Sequence, residues 1–307
     1  MTKRPKVLVY NHCYHGSLDE SLVVLKEGQL TLMSEYDMHP GVPPDAIARV
    51  VEFNDVEGLA QALAYKDVAC VLAEPVMTNC GMVMPEEGYH DKLRALTRQY
   101  GTYLIIDETH TLSTGPGGYT AAYNLEPDFL TVGKSIAGGI PVAAYGFTAK
   151  VGEAINDTFG QKPVSASMGI GGTLSGNAFA INATRATLEH VATDAAYEKM
   201  IAGANLLADG LEESIRKNEL PWSVTRCGAR AELQFMPRTP KSGAESKQFL
   251  YWDLIAYTHL YLANRGILVT PFHNMMLVSP VTTNEDINEL VKQWDRCLTE
   301  ISEESLK

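Results

Sequence analysis

Two charged residues stand at the ends of successive apolar runs, and as a pair they suit covalent chemistry. The run YLIIDETHT brings Asp107 and Glu108 to the C-terminal end of a predicted strand, and in open α/β sheets ligands gather at that end. A carboxylate there either caps the following loop or pairs with a buried cation. The next run, LTVGKSIAGG, leads to Lys134 and then to Ala137-Gly138-Gly139, a small turn that leaves room for a bulky ligand near the backbone. A lone lysine is usually solvated surface. Here Phe129 to Val132 are expected to carry Lys134 into the interior, where a desolvated amine has a depressed pKa and attacks an aldehyde to give a Schiff base. An Asp on one strand and a Lys on the next match the needs of pyridoxal 5′-phosphate (PLP). The carboxylate keeps the pyridine nitrogen protonated, and the ring then acts as an electron sink.

Positioning these side chains calls for a largely parallel sheet covered by helices. Apolar runs rich in β-branched residues recur at 6–11, 68–76, 103–108, 130–135 and 142–147, alternating with stretches that read as helices. Between two of them, Gly88 to Tyr100 carries Leu93, Leu96 and Tyr100 among charged residues and stops at Gly101, which predicts a crossover helix. From Asn177 to about 215 the chain is Ala-rich and helix-favouring. Pro221 breaks it, and strand-like runs follow at 231–236 and 267–271. The composition shift predicts two domains: residues 1–200 forming the larger and residues 201–307 a smaller α+β unit.

With these pieces in place the chain resembles the class III aminotransferases, in particular the glutamate-1-semialdehyde aminomutase-like branch. The segments CYHG at 13–16, EPV with Asn79 at 74–79, DETHT at 107–111, GKSIAGGIPVAA at 133–144 and GTLSGN at 172–177 follow the family's order and spacing. The resemblance implies an aspartate-aminotransferase-like α/β fold, PLP fold type I, with PLP as cofactor and a homodimer with shared active sites. It implies Lys134 as the Schiff-base lysine and proton carrier, Asp107 as partner of the ring nitrogen, Tyr14 stacked on the ring, and Asn79 near its phenolic oxygen. Thr173 would reach a phosphate oxygen in the neighbouring subunit, and His110 would border the ring or the substrate. The activity implied is transamination of an amino acid or amino ketone with a keto-acid acceptor. An amino shift of the aminomutase type, or a catalytically silent binding module of the same fold, are the alternatives.

Other features have plainer readings. His12, Cys13 and His15 look like a metal cluster, but on a strand and turn they diverge and no second ligand group follows, so no metal is expected. GIGGTLSG at 169–176 is Gly-rich without being a dinucleotide fingerprint. Glu74 and Glu108 are expected to satisfy backbone donors. Arg230 in CGARAEL either pairs with a substrate carboxylate or sits at the surface or a domain interface. A formal net charge of −12 argues against nucleic acid or anionic lipid as partner. Five scattered cysteines without a CxxC pair fit a reducing cytoplasm, and no long apolar stretch predicts a membrane span. Members of the family carry a further preceding segment, roughly a third of a subunit of ordinary two-domain size. That segment includes the Gly/Ser-Thr loop that holds the cofactor phosphate, so the chain by itself is expected to lack this loop.

Overall fold

The computed structural model describes residues 1–33, 42–160 and 171–305. Eleven strands are formed among them. In chain order they are β1 (Lys6–Tyr10), β2 (Val23–Lys26), β3 (Gln29–Leu32), β4 (Ala48–Val51), β5 (Val68–Ala73), β6 (Tyr103–Asp107), β7 (Phe129–Val132), β8 (Ala144–Phe147), β9 (Ser223–Cys227), β10 (Arg230–Gln234) and β11 (Met275–Leu277). Six of them make the main sheet, ordered β4-β1-β5-β6-β7-β8, parallel except for the antiparallel edge pair β7 and β8. The predicted parallel sheet is therefore present, and the chain adds to it an outer strand, β4, which its mixed sequence ARVV did not announce. β2 and β3 form a separate hairpin.

One core lies under this sheet. Leu8, Val9 and Tyr10 of β1, Val71 of β5 and Leu104 and Ile106 of β6 meet Leu59, Leu63 and Leu93 from the covering helices Val56–Ala64 and Tyr89–Tyr100. The second of these is the crossover helix of the sequence reading. Gly101, in the left-handed region at φ +62°, closes it by donating its N–H to the Arg98 and Thr97 carbonyls.

A second core is built on the three-stranded antiparallel sheet β11-β10-β9. Ala204, Leu207 and Leu211 of the helix Asp194–Lys217 and Ile287, Trp294 and Leu298 of the helix Asn284–Ser305 pack on Ala231 and Leu233 of β10. The helical stretch expected from Asn177 onward is in fact two helices, Ala178–His190 and Asp194–Lys217. Thr193 separates them, because its hydroxyl accepts from the Ala196 N–H and starts a new helix. Residues 267–271 form no strand. Ile267 and Val269 pack against the second core without joining a ladder, and Met275–Leu277 pairs with β10 instead. Among the described residues no helix is long and apolar enough to cross a membrane.

Candidate active site

The parallel register sets Asp107 opposite Thr131, so β6 and β7 end side by side. Asp107 is the last residue of β6. Lys134 follows β7 by two residues and opens a short 3-10 turn, Lys134–Ala137. Lys134 itself lies at φ +51°, a left-handed conformation that costs a non-glycine residue about 1–2 kcal/mol. Such strain tends to collect where chemistry is done. The side chain is exposed rather than interior, contrary to the expectation from Phe129–Val132, because those four residues are themselves only partly buried next to the exposed edge strand β8. Its ammonium still loses enough hydration to lower its pKa, with Asp107 and Glu74 opposing that shift and Arg230 adding to it.

Lys134 stands between two adjoining cavities. The first, about 520 Å³, is lined by Tyr14, His15, Asp107, Thr109 and the β7 and β8 ends. The second, about 600 Å³, is lined by Asn79, Arg230, Trp252, Phe272 and His273 among others. Tyr14, His110 and Lys134 line both.

On the first side, His15 Nδ1 lies 2.8 Å from Asp107 Oδ2, and the Thr109 N–H donates to Oδ1 at 3.0 Å. Burial works to raise the Asp107 pKa, but the hydrogen bond and charge of His15 outweigh it and hold the carboxyl at about 2. Burial works to lower the His15 pKa, and its neighbours Cys13 and Asp107 lift it to about 10. An imidazolium thus faces a carboxylate across a buried hydrogen bond. In the sequence His15 reads as one of three diverging residues. The signal that points to it is its place directly after Tyr14 in the segment that follows β1, a strand parallel to and one removed from β6.

On the shared wall, Lys134 Nζ is 2.9 Å from His110 Nε2. Burial, then the positive charges of Arg230, Lys134 and His273, push the His110 pKa down to about 3. The ring is therefore neutral, Nε2 accepts from the ammonium, and the proton sits on Nδ1, which is buried with no hydrogen-bond partner. Tyr14 is 45% exposed and overhangs both cavities. Asn79 Nδ2 reaches Glu74 Oε1 at 3.5 Å. Arg230 is buried at the start of β10, which removes the surface reading of this residue. Thr173 lies apart from these cavities, exposed in the turn before the helix Ala178–His190.

Glu74 and Glu108 behave as structural carboxylates. Glu74 accepts from the Thr78 N–H and hydroxyl, and Glu108 accepts from the Tyr119 and Thr120 N–H groups and the Thr111 hydroxyl. The latter contacts tie the β6 end to the helix Gly118–Ala122 and keep Asp107 where the sheet delivers it.

Comparison with known proteins decides what this arrangement belongs to. The profile of aminotransferase class-III matches residues 1–298. The chain belongs to the class III aminotransferases. Its relatives include glutamate-1-semialdehyde 2,1-aminomutase 2 of Brevibacillus brevis, 32% identical over 297 residues that make up 95% of this chain and 67% of the relative. The crystal structure of a glutamate-1-semialdehyde-aminomutase from Pseudomonas aeruginosa PAO1 superposes with a TM-score of 0.93 at 46% identity, covering 97% of this chain and 67% of that one. An omega-transaminase from Sphaerobacter thermophilus superposes at 0.82 with 26% identity over 98% of this chain and 69% of its own. The chain thus spans about two thirds of the length of these relatives. The architecture is the PLP fold type I of this class III family, whose cofactor is PLP.

Proposed function

We propose that this class III chain transfers an amino group between an amino acid or amino ketone and a keto acid with PLP as cofactor, Lys134 being the attachment point. The observation that carries the reading is the position of Lys134 on the wall shared by two cavities, one holding Asp107 and the other Arg230. The residues present fit the cofactor. Asp107 is ionised and keeps lone pairs free for a ring N–H, Tyr14 offers a partly exposed aromatic face to the same cavity, and Asn79, on the wall of the adjoining cavity, has an amide that would serve a phenolic oxygen. When bound, PLP supplies an electron sink for the electrons of a broken Cα bond.

The chain's own groups do the rest. The His15 imidazolium keeps Asp107 ionised and fixes its orientation. His110, neutral, holds Lys134 Nζ toward the junction of the cavities. Lys134 Nζ would also carry the proton from substrate Cα to C4′ of the cofactor. Tyr14 closes one side of the site and limits water.

Amino shift is the second reading, and the aminomutase names of the 32–46% identical relatives favour it. A homodimer fits the exposed groove where Leu174, Ile181 and Tyr145 lie beside Thr173, a face suited to a second copy whose cofactor phosphate Thr173 would reach. Five unpaired cysteines support a reducing, cytoplasmic setting.

The test incubates the 307-residue chain with PLP, fixes the adduct with borohydride and maps it by peptide mass. An adduct on Lys134 supports the reading, and an adduct spread over surface lysines overturns it. Turnover with a carboxylated amine then separates the two activities. Transamination requires a keto acid in stoichiometric amount, whereas an amino shift proceeds without one.

A further inference from the structure

Strand register sets one wall of the cavity on the Arg230 side. β10 and β11 run antiparallel with Arg230 opposite Leu277 and Glu232 opposite Met275, and residues directly opposite present their side chains to one face of a sheet. Ala231 and Leu233, which alternate with these along β10, go to the second core. Arg230, Glu232, Met275 and Leu277 therefore stand on the other face. Three of these four line the cavity, and His273, two residues before Met275, lines it with them. Lys134 and His110 line the same cavity from the ends of β7 and β6.

The ring of His273 is mostly buried, and its two nitrogens have different surroundings. Nδ1 accepts the Met275 N–H at 3.3 Å. It also lies 3.7 Å from Glu232 Oε1, a spacing beyond a hydrogen bond. Nε2 has no hydrogen-bond partner among the described residues. A proton on Nδ1 alone would set N–H against N–H, so the neutral ring carries its proton on Nε2. An imidazolium carries one there too. Nε2 is thus a donor in either charge state, on a ring that borders the space where Lys134 ends. A donor in a mostly buried ring is costly without an acceptor, and a ligand that brings one removes that cost.

The surroundings also select the kind of acceptor. The Phe272 ring lies 4.9 Å from that of His273, centroid to centroid, and Met275 and Leu277 continue an apolar wall. Glu232 is buried behind the ring, and its Oε2 has no hydrogen-bond partner among the described residues. An anion set against the ring would stand near this carboxylate and be repelled. An uncharged oxygen is not.

We propose that His273 determines specificity by donating its Nε2–H to an uncharged oxygen of the substrate, a hydroxyl or a carbonyl. The amino compound handled by this chain is then oxygenated along its chain and not only at an acid group. The proposal rests on the reading of Lys134 as the reacting amine, but its test does not use PLP.

Cofactor-free chain is titrated calorimetrically with 4-hydroxybutanoate and with pentanoate, which differ only in a terminal hydroxyl or methyl. The shared carboxylate suits the positive charge of Arg230, Lys134 and Lys247 on the lining and cancels in the comparison. A hydroxyl probe is used because a ketone condenses with amines. The quantity read is the pentanoate Kd divided by the 4-hydroxybutanoate Kd. It is expected to fall at least about fivefold from the parent to His273→Phe, which keeps a ring and loses the donor. His273→Gln, whose amide can take the place of Nε2–H, is expected to restore part of the preference. In the parent, the ¹⁵N resonance of His273 Nε2 is expected to move with 4-hydroxybutanoate and to stay with pentanoate, a readout that needs no variant. An equal ratio in the parent and His273→Phe overturns the proposal, as does a parent chain that binds neither probe. If His273→Phe does not fold, the resonance decides, and an Nε2 signal unmoved at saturating 4-hydroxybutanoate overturns the proposal. So does a signal that shows Nε2 without a proton. Loss of the Lys134 adduct with borohydride, by contrast, would strike the proposed function and leave this result standing.

Discussion

His15 Nδ1 and Asp107 Oδ2 lie 2.8 Å apart, with the two side chains 2% and 13% exposed, so an imidazolium stands directly behind the carboxylate proposed to face the cofactor ring. The pair is charged across a wide window. His15's folded pKa is raised, so its contribution to stability is fully present below about 6.5 and is lost as pH rises toward about 10. Asp107's is depressed, so its contribution is present above about 3.9 and is lost as pH falls toward about 2. The ¹⁵N resonances of the His15 ring are expected to report a doubly protonated imidazole from pH 6 to 9. A titration in that range with a midpoint near the ordinary histidine value would contradict the ion pair. His15→Leu is expected to lower turnover by roughly 10–100-fold while the Lys134 adduct still forms, and His15→Asn to recover part of the loss through its amide N–H.

Lys134→Ala is expected to abolish turnover and the borohydride-fixed adduct, since it removes the amine proposed as the attachment point, and to leave the fold intact because the side chain is exposed. Its left-handed φ of +51° adds a second expectation. Lys134→Gly should melt above Lys134→Ala, by an amount of stability of about 0.5–1 kcal/mol, because glycine takes this conformation without steric cost. Thermal melts of the two variants side by side check it. Equal melting temperatures would place no strain at this residue.

Asp107→Asn keeps the shape and one hydrogen-bond acceptor but removes the charge. The chain is expected to stay folded and to form the Lys134 adduct, with the rate of Cα proton loss reduced by roughly a hundredfold or more. Single-turnover measurement at saturating PLP is the check. An unchanged rate would mean that Asp107 does not serve the ring nitrogen.

Gly228 closes the turn between β9 and β10 at φ +56°, and a Cβ there would overlap the Thr114 backbone and come within 2.7 Å of the Ser113 carbonyl oxygen. That contact joins the second sheet to the segment holding His110 and Ser113, which Ala229 also grips through its N–H to the Ser113 carbonyl. Gly228→Ala is expected to cost roughly 2–4 kcal/mol, from strain at positive φ and from displaced backbone. It should lower Tm by roughly 5–15 °C. A variant as stable as the parent would show that the two segments are not in close contact.

The sequence by itself determined the pieces whose causes are local. Apolar runs ending in or just before a charge made β6 and β7, and because successive strands more often than not lie as neighbours, Asp107 and Lys134 were favoured to emerge side by side, as they do. Gly101 stopped the crossover helix for reasons visible in the chain. What depended on distant segments was decided only by the tertiary structure. His15 meets Asp107 across 92 positions, and its place after β1 marks the edge of the sheet it occupies without naming its partner. Arg230 is buried because β10 lies between β9 and β11 and against Ser113 and His110, 117 and 120 positions away. Lys134 is exposed, although its strand is apolar, because β7 is followed in the sheet only by the edge strand β8. Burial is a property of what packs on a residue from elsewhere in the chain, and the run of residues around it carries little of that information.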